Sequence, residues 1–528
     1  MTITANGCRF ILFCIFVAAV SMVAFAQGAG PSPQGLSYGP DDFVTGRVPS
    51  IANTPVPPAG DEYPSLTGSY ASSKQNPRVF VTQSDINDMA KRSNVAGSFT
   101  ARIFGQLANE VKSHLESNVD WDAAYSGCDL EVYLYAFSNE RPNPHADPTS
   151  TSSKLMAAMN VKQGQAAPSG AATIAARLAL YAALVKAGAK APAGAPSADQ
   201  AAALSKRILT AWATRGFRDQ RKNFLSRPEQ FCQNDQFTPT GQSNTGLQIA
   251  RGIIFSVHAQ DLLQSIDALN TKEVSDLNSF HAAIFDLIRE ASNYRFSLPA
   301  LNHPDQTCEL YSNHVAAHLM GLLAIARLLD DGRKFNAVLY GNDRSIPVDL
   351  YWTKYFSHAI YGNNDKPIQC YKNSGPDSLT STSSFQTPIV APGEVEDRYR
   401  HANPAQAFGY TTGVLADYLV EGELLKNAGF DAFAYRGPRG QTIQMAVDYY
   451  SCYGKTPGFK QKVTADNARA CADYQEYIGQ IVNGLETVVV MGAYHFPQDS
   501  LLSELDAAAK AGAGPNLLEP TRFGRWRD

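Results

Sequence analysis

An all-α fold, in the form of an (α/α) toroid or incomplete barrel of paired antiparallel helices, is what this sequence predicts. Three observations carry the prediction. Apolar residues recur at three- and four-residue spacing in some ten segments of similar length. Strand-like alternation is scarce. No strict repeat with a period of about 30 to 50 residues is visible, which argues against a regular solenoid. The chain has 528 residues, 44% of them hydrophobic and 18% charged, enough for one large core.

In chain order, residues 1–26 read as a secretory signal. Arg9 is the single charge, residues 10–23 form the apolar run, and Ala24-Phe25-Ala26 is a small-residue cleavage site. The rival reading, an uncleaved anchor, requires a longer run, since a span needs about 20 apolar residues. The mature chain is therefore expected to be periplasmic or secreted, with no membrane contact after cleavage. Residues 27–76, rich in Pro, Gly and Ser, read as an extended leader. One helical body is expected from residue 77 to residue 528. It opens with Arg78-Val-Phe-Val-Thr82 as a short strand and Thr82-Gln-Ser-Asp85 as a helix cap. Helical periodicity then covers 86–92, 100–118, 152–159, 171–187 and 197–214. Longer and stronger segments follow at 244–265, 272–292, 309–330 and 404–427, and then 441–450 and 465–483. The best late strand candidate is 486–491, which also fits the end of a helix. Two loops, 216–240 and 362–400, exceed the usual length in a compact domain, and long ordered loops tend to carry function.

Charge and cysteines narrow the classes. Removing Arg9 from the 45 Lys and Arg leaves 44 basic against 49 acidic residues, a net charge near −5. A nucleic-acid binder would usually be basic, so nucleic acid is excluded as a partner. Cys8 and Cys14 leave with the signal. Cys128, Cys232, Cys308, Cys370, Cys452 and Cys471 remain, an even set for an oxidising compartment, with Cys452–Cys471 the pair that closes the shortest loop between helical segments. Their spacings match no zinc motif.

The chain is organised around 309–330, polar in its first turn (Tyr311, Ser312, Asn313, His314) and apolar on nearly every side from Val315 onward. An adjacent Asn313 and His314 at the mouth of a buried helix, with open backbone N–H groups beside them, suit a site that handles an anion and a proton. The alternative is that both are ordinary capping residues. His318 shares a face with His314, but no His-Glu-x-x-His pattern and no third ligand accompany them, so neither a metal nor a cofactor is expected. A second constellation is Glu394-Val-Glu-Asp-Arg-Tyr-Arg-His-Ala-Asn-Pro-Ala-Gln-Ala-Phe-Gly-Tyr410. Pro404 after Asn403 starts a helix, and Tyr410 falls two turns inside it, with Arg398, Arg400 and His401 just before. A tyrosine needs a cationic neighbour to shuttle protons near neutrality, its free pKa being about 10. Against this, Tyr410 fits a core position, and both arginines fit surface ion pairs with Glu394, Glu396 or Asp397. A third segment places Gln248, Arg251 and His258 on an otherwise apolar helix, where a buried Arg needs a partner or a cleft. The fourth, 121–137, carries Trp121 and Tyr135, which serve equally as sugar-stacking faces or as core. There is no Gly-x-Ser-x-Gly elbow, phosphate loop or dinucleotide-binding glycine pattern.

Together these stretches resemble the alginate-lyase domain of helical-toroid polysaccharide lyases. The resemblance spans roughly residues 78 to 490. It rests on the Arg-Gly-x6-Ala-x-Asp-Leu-Leu run at 251–263, on Asn313-His314 opening a buried helix, and on the Arg-rich loop leading into Ala405–Tyr410 and then Gly422-Glu-Leu-Leu-Lys-Asn-Ala-Gly-Phe-Asp431. It implies β-elimination on an anionic uronate polymer (alginate, polymannuronate or glucuronan). Asn313, His314 and Arg400 or Arg398 would hold and neutralise the carboxylate, and Tyr410 would pass the proton to the leaving oxygen, with His314 or Tyr410 taking the C5 proton. Gln248, Arg251, His258, Trp121, Tyr135 and His401 would contact the chain of sugars. The arrangement makes chemical sense, because neutralising a carboxylate permits a carbanion-like transition state beside it. Two other classes stay open: a helical-toroid glycoside hydrolase with two converging carboxylates, and a secreted carbohydrate-binding protein.

Overall fold

A computed structural model of the chain describes residues 63–117, 171–211, 213, 239–297, 311–363, 365, 391–397, 404–451, 485–512 and 528. The protein is built from helices. In order these are α1 (Gln83–Ser93), α2 (Phe99–Glu116), α3 (Ala171–Lys186), α4 (Ala198–Ala211), α5 (Pro239–Ser265), α6 (Thr271–Ser297), α7 (Asn313–Leu328), α8 (Gly332–Tyr340), α9 (Trp352–Ala359), α10 (Pro404–Asn427), α11 (Ile443–Ser451), α12 (Leu485–His495) and α13 (Ser500–Gly512). A two-residue ribbon, β1 (Thr67–Gly68) against β2 (Phe430–Asp431), joins the segment ahead of α1 to the segment after α10.

The helices pair in sequence: α3 with α4, α5 with α6, α7 with α8, α10 with α11, and α12 with α13. The first members form a row in which α3 packs on α5, α5 on α7, α7 on α10 and α10 on α12. This is the incomplete (α/α) barrel that the sequence predicts. The inner row is largely buried, and every residue of α7 is buried. The outer helices are amphipathic: α8 buries Phe335, Ala337, Val338 and Leu339, leaves most of its other residues half-buried and exposes Arg333. Close approach within the row comes from small residues. Gly321 of α7 faces the Ala250 backbone of α5, where an added Cβ would lie 3.2 Å from the Ala250 Cα.

A strap of residues 71–79 fixes the direction of the inner helices. Asp261, near the end of α5, accepts the backbone N–H groups of Arg78 and Val79, both at 2.8 Å. Arg327, at the end of α7, donates to the carbonyls of Ala71 (2.7 Å), Arg78 (3.2 Å) and Asn427 (2.7 Å). Asn427 itself, ending α10, donates its side-chain amide to the Val79 carbonyl at 2.9 Å. The C-terminal ends of α5, α7 and α10 therefore meet at one end of the barrel, and the three helices run parallel.

Several sequence expectations change here. The 78–82 stretch is not a strand: its N–H and C=O groups go to helix-end side chains rather than to a neighbouring strand. The 486–491 stretch lies inside α12, because its apolar residues are buried between helices rather than alternating across a sheet. The Pro-rich 27–76 stretch has a packed end: the Tyr70 hydroxyl donates to Asp330 at 2.9 Å. The 216–240 loop ends sooner than expected, since α5 starts at Pro239. The Thr82–Asp85 capping box is present. The cysteines that follow the signal, the 152–159 and 465–483 helices and the 121–137 stretch lie outside the described residues.

Candidate active site

Helix α7 begins later than the periodicity suggests. Ser312 is its N-cap and Asn313 its first residue, with Asn313 and His314 nearly buried at 3% and 8% exposure. At about 1.5 Å rise per residue, Asn313 stands about 21 Å from Arg327 along α7, and Tyr410 about 26 Å from Asn427 along α10. Since Arg327 and Asn427 are hydrogen-bonded at the opposite end and the helices are parallel neighbours, Asn313, His314 and Tyr410 occupy the same end of the barrel, within about one helical turn in height. Tyr410 is partly exposed there.

The segment 391–397 crosses this end just ahead of α10. Tyr361 donates its N–H to the Glu394 carbonyl at 2.9 Å, and Gly393 donates back to the Tyr361 carbonyl at 2.8 Å. The Ile360–Val395 bridge continues the pairing, and the Val395 N–H donates to the Tyr450 hydroxyl at 3.1 Å. The segment ends with Asp397, whose Oδ2 accepts the Asn313 backbone N–H at 3.0 Å. That bond revises the idea of open amides beside Asn313. The first N–H of α7 serves Asp397, and the Val315 N–H serves the Ser312 carbonyl at 3.0 Å.

Glu394, Glu396 and Asp397 are all buried, where the sequence alternative has them as surface ion-pair partners. Glu396 and Asp397 belong to a cluster with Asp417 and Glu421 of α10 around two stacked tyrosines, Tyr355 and Tyr418, with ring centroids 5.8 Å apart. Trp352 donates its indole N–H to Glu421 at 2.7 Å. Burial, partly opposed by that bond and reinforced by Asp417, pushes the Glu421 carboxyl well above the usual carboxylate range. Burial first, then Asp397, Glu421, Glu396 and Asp417, push the Tyr355 phenol well above its ordinary value. It is a permanent donor, and its hydroxyl reaches the carbonyls of Ser312 (2.7 Å) and Tyr311 (3.2 Å). Tyr311 stacks on His358 at 4.7 Å, and the Tyr63 hydroxyl bonds the His358 Nε2 at 2.9 Å.

The other expected site residues are spread out. Arg251 is partly exposed on α5. It follows Ala250, which faces Gly321, so it sits about 12 Å below Asn313 along the barrel wall. Gln248 lies one turn earlier on α5. His258 is in the core, edge-on to Phe80 at 5.7 Å and three residues from Asp261, and thus at the strap end, away from Asn313. Burial lowers its pKa to about 3. His318 is buried one turn beyond His314. Arg398, Arg400, His401, Trp121 and Tyr135 lie outside the described residues. Among the described residues no group of three or more His, Cys, Asp or Glu is arranged to hold a metal ion, and no helix is long and apolar enough to cross a membrane. Sequence reasoning did not single out Trp352, Tyr355 or Glu421 as site residues. The one available signal was the Glu394, Glu396, Asp397 triplet so close to the α10 start.

No family model and no curated protein matches this sequence. Among solved structures, one similar in outline is an alginate lyase from Bacteroides ovatus, with a TM-score of 0.45 and 11% identity, covering 86% of this chain and 100% of that one. A match at this level assigns the chain neither that protein's activity nor its substrate.

Proposed function

We propose that the protein is a polysaccharide lyase cleaving an anionic uronate polymer by β-elimination at the barrel end that carries Asn313, His314 and Tyr410. The observation behind this reading is the parallel register of α7 and α10. It sets an amide, an imidazole and a partly exposed phenol together at one end of an otherwise apolar wall. In this reading the Asn313 amide and the His314 imidazole, with Arg398 or Arg400, hold the uronate carboxylate and neutralise its charge. That acidifies the proton on C5. Tyr410 or His314 removes the C5 proton, the C4–C5 double bond forms, the glycosidic bond at C4 breaks, and Tyr410 protonates the departing oxygen. No redox partner is required.

The test is ultraviolet absorbance during incubation with alginate, its mannuronate-rich and guluronate-rich blocks, glucuronan and pectate. Elimination leaves a conjugated C4–C5 double bond that absorbs, and a rise on one polymer is the expected result. Reducing ends without absorbance would replace the lyase with a hydrolase. Polymer binding with neither signal would leave a carbohydrate-binding protein.

A further inference from the structure

We infer that Asp397 is a positioning residue that couples the two halves of the proposed site, working with Tyr355 to hold the start of α7. This rests on the lyase reading given above. The N-cap of α7 is Ser312, yet its side chain makes no capping bond to the helix. The bond to the first amide comes instead from a carboxylate 84 residues away, Asp397 Oδ2 on the Asn313 N–H at 3.0 Å. Asp397 is fully buried, so its bond to the Asn313 amide is shielded from competing water. On the preceding peptide groups, the Tyr355 hydroxyl donates to the Tyr311 and Ser312 carbonyls. Residues 311–313 are thus gripped by an acceptor on the amide side and a donor on the carbonyl side. Asp397 also sits seven residues before Pro404, on the strand of chain that leads into α10 and Tyr410. The bond ties the start of α7, which carries Asn313 and His314, to the segment that precedes α10 in the chain. A site holding a carboxylate and moving a proton is sensitive to placement, because a misplacement of about 1 Å costs on the order of 100-fold in rate.

The experiment compares wild type, Asp397→Ala, Asp397→Asn and Tyr355→Phe by steady-state elimination kinetics and by amide hydrogen exchange over residues 311–320. Asp397→Ala is expected to lower kcat by about 100-fold with KM changed by less than about threefold, and to speed exchange in 311–320 selectively. Asp397→Asn keeps an acceptor oxygen and is expected to recover part of both. Tyr355→Phe keeps the ring and is expected to shift both in the same direction by less, which preserves the test if Asp397→Ala does not fold. Unchanged exchange in 311–320, or a fall in KM affinity with kcat intact, would overturn the inference. If wild type shows no elimination on any polyuronate, the lyase reading fails, while the exchange data still decide whether Asp397 and Tyr355 hold the start of α7.

Discussion

Arg327 donates Nη2 to the carbonyl of Asn427 at 2.7 Å, tying the last turn of α7 to the last turn of α10. This bond sets which residues of the two helices stand side by side at the far end, where Asn313 and Tyr410 lie. Arg327 is 2% exposed, and its guanidinium serves three carbonyls and approaches Asp330 at 3.8 Å.

Replacing Arg327 should therefore be severe. Arg327→Ala leaves three carbonyls without their donor, and the expected loss is about 3–5 kcal/mol in unfolding free energy. Arg327→Lys should recover little, since an ammonium cannot span the same fork. Denaturant titration measures both, and a loss below about 1 kcal/mol for the alanine variant would refute the keystone role.

Tyr410→Phe is expected to abolish turnover while leaving polymer affinity within a few-fold, because only the proton path is removed. Asn313→Ala should lower kcat by on the order of 10²–10³, the cost of losing one donor aimed at developing charge. Single-turnover kinetics alongside equilibrium binding separate the two effects. A Tyr410→Phe protein with near-normal turnover would exclude that phenol from the chemistry.

Gly393 takes a φ of +86°, and an added Cβ would overlap the Met445 carbonyl oxygen. Gly393→Ala is expected to cost about 1–2 kcal/mol for the backbone conformation alone, with the clash in addition. Since the residue lies four positions before Asp397, activity at a temperature well below melting should fall too. Thermal melting and initial rates on the same sample provide the check. Retention of both would mean that the segment has slack to move.

Stability against pH should carry two opposed contributions. Burial holds His258 and His281 at about 3, and burial with Arg439 and Lys354 nearby holds His358 at about 4. In the unfolded chain these groups take a proton near 6.5, so unfolding takes up protons below that pH. Stability from them is full above about pH 6.5 and declines as pH falls toward 4. Asp261 runs the other way: burial raises it to about 6, the two backbone amides opposing, so it costs stability as pH rises from about 4 through 6. Melting temperature measured from pH 4 to 7 should rise less steeply in His281→Gln and more steeply in Asp261→Asn. Parallel profiles for wild type and both variants would contradict this assignment.

What was legible in the sequence follows the range of the interactions. The three- and four-residue periodicity of α3, α5, α7 and α10 reports burial of a helix face, a local property, and it located them within a few residues. The Thr82–Asp85 cap is likewise local. Helices α8 and α9 did not stand out; α8 is set by the Asp331 side chain at its start and Gly341 at its end. The 486–491 stretch shows why apolar β-branched runs mislead: Val488 and Val489 are buried against other helices, which any apolar side chain can satisfy. Asn313 and His314 stood out because polar residues at the mouth of a buried helix are unusual. Asp397 and Tyr355 did not, since their roles exist only once segments 84 and 43 residues from α7's start have been brought to it.

The strap at 71–79 has a consequence for how the chain acquires its structure. Its partners lie far along the sequence, with Val79 and Asn427 separated by 348 residues and Arg78 and Asp261 by 183. A chain made from its first residue onward holds the strap long before the helix ends that claim it exist. The Val79 carbonyl and the Ala71 amide must stay hydrated until α10 is complete, and closing so large a loop makes this a late and slow event. A refolding experiment should show early helix formation followed by a slower phase in which the Ala71 amide, which donates to the Ala428 carbonyl at 2.8 Å, becomes protected from exchange.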